Sequence, residues 1–261
     1  MKKYLTICAI ASLTFAQSCD NKDEFDVENA GQEFVDRKDF VNTDKGDVGK
    51  DTVLLISTKD IKSRLKSTQE LYIRDLTLIR NAAYSPRIFP ESFKENGLVY
   101  YKLNYDLNKG AGGDYIYLYY AVTSNPYEAV SYLHGYSTKR GYGSEKSLRD
   151  ALGIHSDYRI VHSDEEPYTD LNAHSGGWWV YLIQTNHRPK EYPQRAITEV
   201  LVEISSTEIR STMFDFNGKK YLHIFDFEEN ERFGGASSTF YPLDFNKGTT
   251  KHEKYIYLAT D

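Results

Sequence analysis

A thirteen-residue segment recurs along this chain and restricts its fold more than any other feature. DLNKGAGGDYIYL at 106–118 returns without a gap as DLNAHSGGWWVYL at 170–182. A looser third copy pairs DFNKG at 244–248 with KYIYL at 254–258, carries two extra residues and lacks the Gly-Gly pair. The first residues of the copies, Asp106, Asp170 and Asp244, lie 64 and 74 residues apart. Repetition at such a spacing means one supersecondary unit used three times, each too small to bury its own apolar face.

Each copy follows another apolar, β-branched stretch: Leu71 to Ile79, Ala129 to Leu133, and Ala196 to Ile204. The last alternates apolar and polar residues and reads as a strand with one buried face. One unit is therefore strand, variable loop, Asp-x-Asn turn, strand. Ser144 to Leu152 is expected to add one short helix to the second unit. Alternation along the strand after each turn sends Ile116, Leu118, Val180, Leu182, Ile256 and Leu258 to one side, the expected core. Tyr115, Tyr117, Trp179, Tyr181, Tyr255 and Tyr257 fall on the other side, so three aromatic ladders are expected on one class of face.

The run DLNKGAGGDYIYLYY followed downstream by AITEVLVEI resembles the multivesicular-body-associated β-prism family and related vacuolar-sorting and bacterial toxin accessory domains. The resemblance covers roughly residues 68–261. It implies an all-β fold, a β-prism of three antiparallel sheets about a pseudo-threefold axis, with repeats near 68–125, 126–190 and 191–261. The three turns would then lie at one end. The resemblance implies function weakly, because such prisms bind membranes in some settings and glycans in others.

The start of the chain reads as an address. Met1-Lys2-Lys3 precedes an apolar stretch from Tyr4 to Phe15, the size of a signal peptide. Ala16-Gln17-Ser18-Cys19 resembles a bacterial lipobox, which implies cleavage after residue 18 and lipidation of Cys19, although Gln17 and a missing Leu depart from the common pattern. Cys8 falls inside the signal, so Cys19 would be the one cysteine left and no intrachain disulfide would form. The following Asp20-Asn21-Lys22-Asp23-Glu24 looks like the surface-export signal of Bacteroidota lipoproteins. The expected location is the outer membrane, exposed at the cell surface. Residues 20–50 carry ten acidic and five basic side chains with no apolar periodicity, and such a segment cannot bury enough apolar surface to order itself. Residues 19–50 are read as the lipidated cysteine and an acidic tether, and 51–261 as one prism domain. The net charge of −6 over 261 residues argues against a nucleic-acid partner, which requires a basic face.

The turns admit two readings. Alternating oxygen ligands around glycine suit calcium, which would make Asp106, Asn108, Asp170, Asn172, Asp244 and Asn246 ligands. Asp and Asn also close turns on their own backbone, with glycine at positive φ. No bidentate Glu follows at a fixed offset, so the turns are expected to be architectural, with no cofactor. The aromatics likewise admit cross-strand packing or a binding surface. Trp178, at the mouth of the glycine turn, is the preferred binding residue.

Catalytic signatures are missing. The chain has no Gly-x-Ser-x-Gly, His-Glu-x-x-His or phosphate-loop motif. His155, His162 and Asp164, or the acidic run Asp226, Glu228, Glu229 and Glu231, remain the candidates for a loop-borne hydrolase. The expectation is a surface lipoprotein that binds glycans or lipid headgroups and is not an enzyme. An accessory chain of a membrane-attacking or pore-forming system, with a partner protein encoded nearby, is the second reading and the hydrolase the third.

Overall fold

Fourteen strands occur among the described residues of the computed structural model, which are 52–57, 61–63, 65–81, 89–142, 144–163, 170–188, 195–230, 235–249 and 255–261. All belong to the unit Thr43–Asp261. The expected signal, Cys19, the tether and Asp164 lie outside the described residues.

Strand β1 (Thr52–Ser57) precedes the repeats and is used in the third sheet. The first sheet has the order β2-β5-β4-β3, from β2 (Tyr72–Asn81), β3 (Ser92–Glu95), β4 (Leu98–Asp106) and β5 (Tyr115–Thr123). Repeat two supplies β6 (Tyr132–Thr138), helix α1 (Glu145–Leu152), β7 (Tyr158–Ile160) and β8 (Trp179–Thr185). Repeat three supplies β9 (Glu199–Ser205), β10 (Met213–Phe216), β11 (Lys219–His223), β12 (Phe225–Asn230), β13 (Gly235–Pro242) and β14 (Tyr255–Thr260). The second sheet runs β13-β12-β6-β8-β7 and the third β1-β9-β14-β11-β10. The protein is all-β, and among these pairings only β12 with β6 is parallel.

The repeat boundaries expected from sequence are thus crossed twice. The β12–β13 hairpin belongs to repeat three by sequence but extends the second sheet, and β1 reaches forward to pair with β9. What each repeat keeps to itself is its central pair. Leu78 faces Leu118 across β2 and β5, Gly135 faces Leu182 across β6 and β8, and Val202 faces Leu258 across β9 and β14. Gly135 has no side chain because Leu243, after β13, occupies that space; a Cβ there would sit 1.9 Å from Leu243 Cδ2.

Five residues before these positions the three sheets meet. Ile73 N–H donates to Ile197 O at 2.9 Å, Ile197 N–H to Val130 O at 3.0 Å, and Val130 N–H to Ile73 O at 2.7 Å. Equivalent positions of the three repeats therefore satisfy one another in a closed ring, which disposes of six buried backbone groups that no strand ladder serves. Around the ring, Ile116, Leu118, Val180, Leu182, Ile256 and Leu258 are each fully buried in a single cluster, as alternation requires. Each such side chain contributes about 1.5–3 kcal/mol when removed from water. Gln184 of β8 joins the first two sheets: its amide donates to Leu76 O (2.9 Å) and Asp75 Oδ1 (3.0 Å) and accepts from Leu76 N–H (3.0 Å).

The expected short helix is present. Ser144 Oγ accepts from Ser147 N–H at 3.1 Å as the N-cap, and Gly153 closes the C-terminus at φ 61°. That pairing of a hydroxyl at one end with glycine at the other follows from the unpaired backbone groups at helix termini. Leu148 is buried against Tyr136, Ile160 and Tyr181 of the second sheet.

Candidate binding site at the turn end

The three Asp-x-Asn turns have one internal geometry. Asp106 Oδ1 accepts from Asn108 N–H (3.1 Å) and Ile116 N–H (3.0 Å). Asp170 Oδ1 accepts from Asn172 (2.9 Å) and Val180 (2.9 Å), and Asp244 Oδ1 from Asn246 (3.0 Å) and Ile256 (3.3 Å). The carboxylate thus clamps the start of the turn to the returning strand. Burial pushes the Asp106 carboxyl upward, and the two donated N–H groups counter that in part. Among the described residues no group of three His, Cys, Asp or Glu side chains is arranged to hold a metal ion.

The asparagine side chain, by contrast, reaches the next turn. Asn108 Nδ2 donates to Asp114 O (2.9 Å) and lies 3.4 Å from Ala173 O, while Asp114 N–H donates to Ala173 O (3.0 Å). One repeat later Asn172 Nδ2 donates to Lys247 O (2.8 Å), and Trp178 N–H does the same (2.9 Å). Turn one therefore holds turn two as turn two holds turn three. Close approach demands glycine here. A Cβ on Gly113 would lie 2.2 Å from Ala173 O, and one on Gly177 would lie 2.5 Å from Lys247 O.

This end carries both tryptophans. Trp178 is half-buried, with its ring edge against Gly248, Lys247 Nζ 4.6 Å and Lys139 Nζ 5.1 Å from its centroid. Lys247 is itself bonded to buried Asp226 (2.5 Å), which also accepts from Ser137 Oγ (2.7 Å). Trp179 is 38% exposed and rests on Gly141, where a Cβ would lie 2.5 Å from the ring. Arg140 lies over Tyr142 on the same loop, 5.5 Å away. The cations thus lie over the Trp178 ring while the exposed face is that of Trp179, on turns joined to one another by hydrogen bonds. Of the two rings, Trp178, the residue preferred from sequence, is the more covered, and Trp179 is the more exposed.

The expected aromatic ladders do not form one exposed surface. Tyr181 is fully buried beneath α1, and Tyr257 is buried with its hydroxyl accepting from Ile209 N–H at 3.0 Å. Tyr117 is half-buried beside Phe89, centroids 4.4 Å apart, and Tyr255 stacks parallel to Tyr257. Of the outward set, only Tyr115 (47%) and Trp179 stand exposed. The residues inserted between the paired strands cover the rest, and burial of the ring body outweighs exposure of its polar tip.

Among the described residues, the catalytic candidates pair with different partners. His155 Nδ1 pairs with Asp157 (3.1 Å), whereas His162 Nε2 faces Glu145 at 4.0 Å. Asp226 is committed to Lys247 and Ser137, and Glu231 lies outside the described residues, as do the side chains of Glu228 and Glu229. Sequence reading missed two polar clusters. Buried Glu199 accepts from Tyr221 Oη (2.5 Å) and Lys219 Nζ (2.8 Å), and Lys219 also reaches Asp261 (2.8 Å). Burial opposes the Lys219 charge, but both carboxylates outweigh it and raise its pKa. His223 is held between Glu203 Oε2 (2.6 Å) and Ser211 O (2.8 Å). Both clusters tie the third sheet together. No protein-family profile and no curated protein sequence matches this chain.

Proposed function

We propose that this chain is a surface-displayed, lipid-anchored binding module with a pseudo-threefold β-prism fold, and that its turn end recognises glycan. The fold part of this reading is supported by the three sheets, the ring through Ile73, Val130 and Ile197, and the repeated turn-to-turn contacts. The observation that carries the function is Trp179: an exposed indole resting on Gly141, next in sequence to Trp178, whose own ring lies under Lys139 and Lys247, on turns joined to one another by hydrogen bonds. A flat aromatic face stacks on a sugar ring, and neighbouring cations hold hydroxyl or acidic substituents at its rim. Cys19 is the attachment point for lipid, and residues 20–50 hold the domain away from the bilayer.

A glycan array on the chain with Cys19→Ser tests the ligand, with liposome flotation run beside it. Saturable glycan binding that Trp179→Ala weakens by about tenfold or more supports the reading. Flotation with lipid headgroups and no glycan binding overturns the glycan assignment. Binding unchanged in Trp179→Ala removes the turn end as the site. Labelling with a radioactive fatty acid, lost in Cys19→Ala, tests the anchor.

A further inference from the structure

A second recess lies away from the turn end, on the outer face of the second sheet, and the proposal above makes no use of it. Its volume is about 240 Å³. Tyr132, His134 and Tyr136 of β6, Ile183 of β8, Tyr158 of β7 and Phe227 of β12 line it. Three of these rings surround the imidazole: Phe227 at 5.0 Å and Tyr158 at 5.4 Å, both edge-on, and Tyr132 at 5.8 Å. Gly153 and Ile154, where the chain leaves α1, close one side, and Arg149 holds that return in place by donating to Tyr158 O at 2.8 Å. His155 stands at the rim, paired with Asp157.

The chemistry inside is narrow. His134 Nδ1 is buried without a hydrogen-bond partner, which leaves Nε2 as the nitrogen a guest can reach. Burial lowers the His134 pKa to about 4, so the imidazole is neutral at ordinary pH. Among the described lining residues no side chain is charged except rim His155, when protonated, so a charged guest would lose its hydration with little in return. A pyranose carries several hydroxyls, more than one imidazole and a few tyrosine tips can serve. A single aromatic ring with one hydroxyl fits within the volume and suits the ring-lined, uncharged wall and the one reachable nitrogen, because a hydroxyl can donate or accept and so suits either imidazole tautomer.

We propose that this recess binds one uncharged phenolic ring, its face against the surrounding aromatic side chains and its hydroxyl bonded to His134 Nε2. The guest is a small phenol or a tyrosine-like end group of a larger molecule; the recess recognises the same ring in both.

The probes are p-cresol, toluene and methyl glucoside, added to the full chain and followed by calorimetry and by the ¹⁵N signals of His134. Saturable one-to-one binding of p-cresol is expected, with a shift at His134 Nε2. Toluene should bind about tenfold more weakly for want of the one hydrogen bond, and the glucoside not at all. His134→Phe should make p-cresol and toluene equal, and Ile154→Trp, which fills the recess, should remove both while the unfolding temperature shows that each variant is folded. Should a variant not fold, the wild-type contrast of p-cresol with toluene decides alone. Equal affinity for those two, tighter binding of the glucoside, or no saturable binding of p-cresol at millimolar concentration would overturn the proposal. Failure here leaves the turn-end reading intact, because Trp179 is not among the lining residues.

Discussion

The inward and outward faces of the same three strands differ sharply. Inward, Ile116, Val180 and Ile256 are interchangeable, each fully buried in one cluster. Outward, their neighbours diverge: Tyr115 and Trp179 are exposed, while one step along Tyr181 is fully buried and Tyr117 is not. The inner faces of these strands meet in one shared cluster, so each is held to aliphatic side chains. The outer face meets whatever the intervening loops supply: the β3–β4 hairpin with Phe93, helix α1 with Leu148, or the β10–β11 hairpin with Phe214. Repetition therefore protects the inside, and variation acts on the outside.

Five measurements break or sharpen that contrast. The largest effect is expected for Ile116→Asp, which places an unpaired charge in the shared core; chemical denaturation and circular dichroism should show no cooperative fold. A variant that keeps wild-type stability would reverse the inside–outside assignment. Next, Tyr181→Ala should cost about 3–5 kcal/mol, the loss typical of a buried aromatic, whereas Tyr115→Ala should stay within about 0.5 kcal/mol. Equal losses in urea titrations would mean that the two outer faces are covered alike.

The third prediction concerns pH. The folded pKa of His134 is about 4 against an ordinary 6.5. The unfolded chain therefore binds this proton first as pH falls. The stabilisation is complete above pH 6.5, declines between 6.5 and 4, and is gone below, a loss of up to about 3 kcal/mol. His134→Phe should flatten this part of the stability–pH curve relative to wild type, and an unchanged slope would show that the ring is not desolvated. The fully buried inward residues named above are all aliphatic and contribute no such slope.

Fourth, Asp170→Ala removes the acceptor for two N–H groups and should cost about 2 kcal/mol, read from thermal unfolding. Loss of neither stability nor turn geometry would make the clamp redundant. The smallest effect is at His174, which takes φ 60° where the other two turns have Gly110 and Gly248. H174A should be less stable than H174G by about 1 kcal/mol, since only glycine enters that region freely. The reverse order would show that a Cβ at this positive φ carries no strain.

Much of the fold was legible in the sequence. The inward set followed from alternation after each turn, the turn clamps from the Asp-x-Asn spacing, and α1 was expected over Ser144 to Leu152. The β3–β4 and β10–β11 hairpins had a local signal too. Asn96-Gly97 and Asn217-Gly218 both take positive φ, the pattern of a two-residue hairpin turn, and the reading from sequence passed over them. The candidate sites were less accessible. Trp178 and Trp179 are adjacent in sequence, yet Gly248, from the third turn, makes one a buttress while Gly141 supports the other. The His134 recess gathers residues from β6, β7, β8 and β12, and no spacing brings Phe227 to His134.

The chain by itself determined its repeats, its turn chemistry and which side of each central strand is apolar, because these depend on neighbours a few residues away and on the two-residue period of a strand. The tertiary structure alone decided that β12 joins β6 in parallel, that β1 joins β9, which tyrosines are covered and where an imidazole is left among rings. Those outcomes depend on contacts between segments far apart in sequence, whose selection rests on the fit of whole surfaces and leaves no periodic trace in either partner.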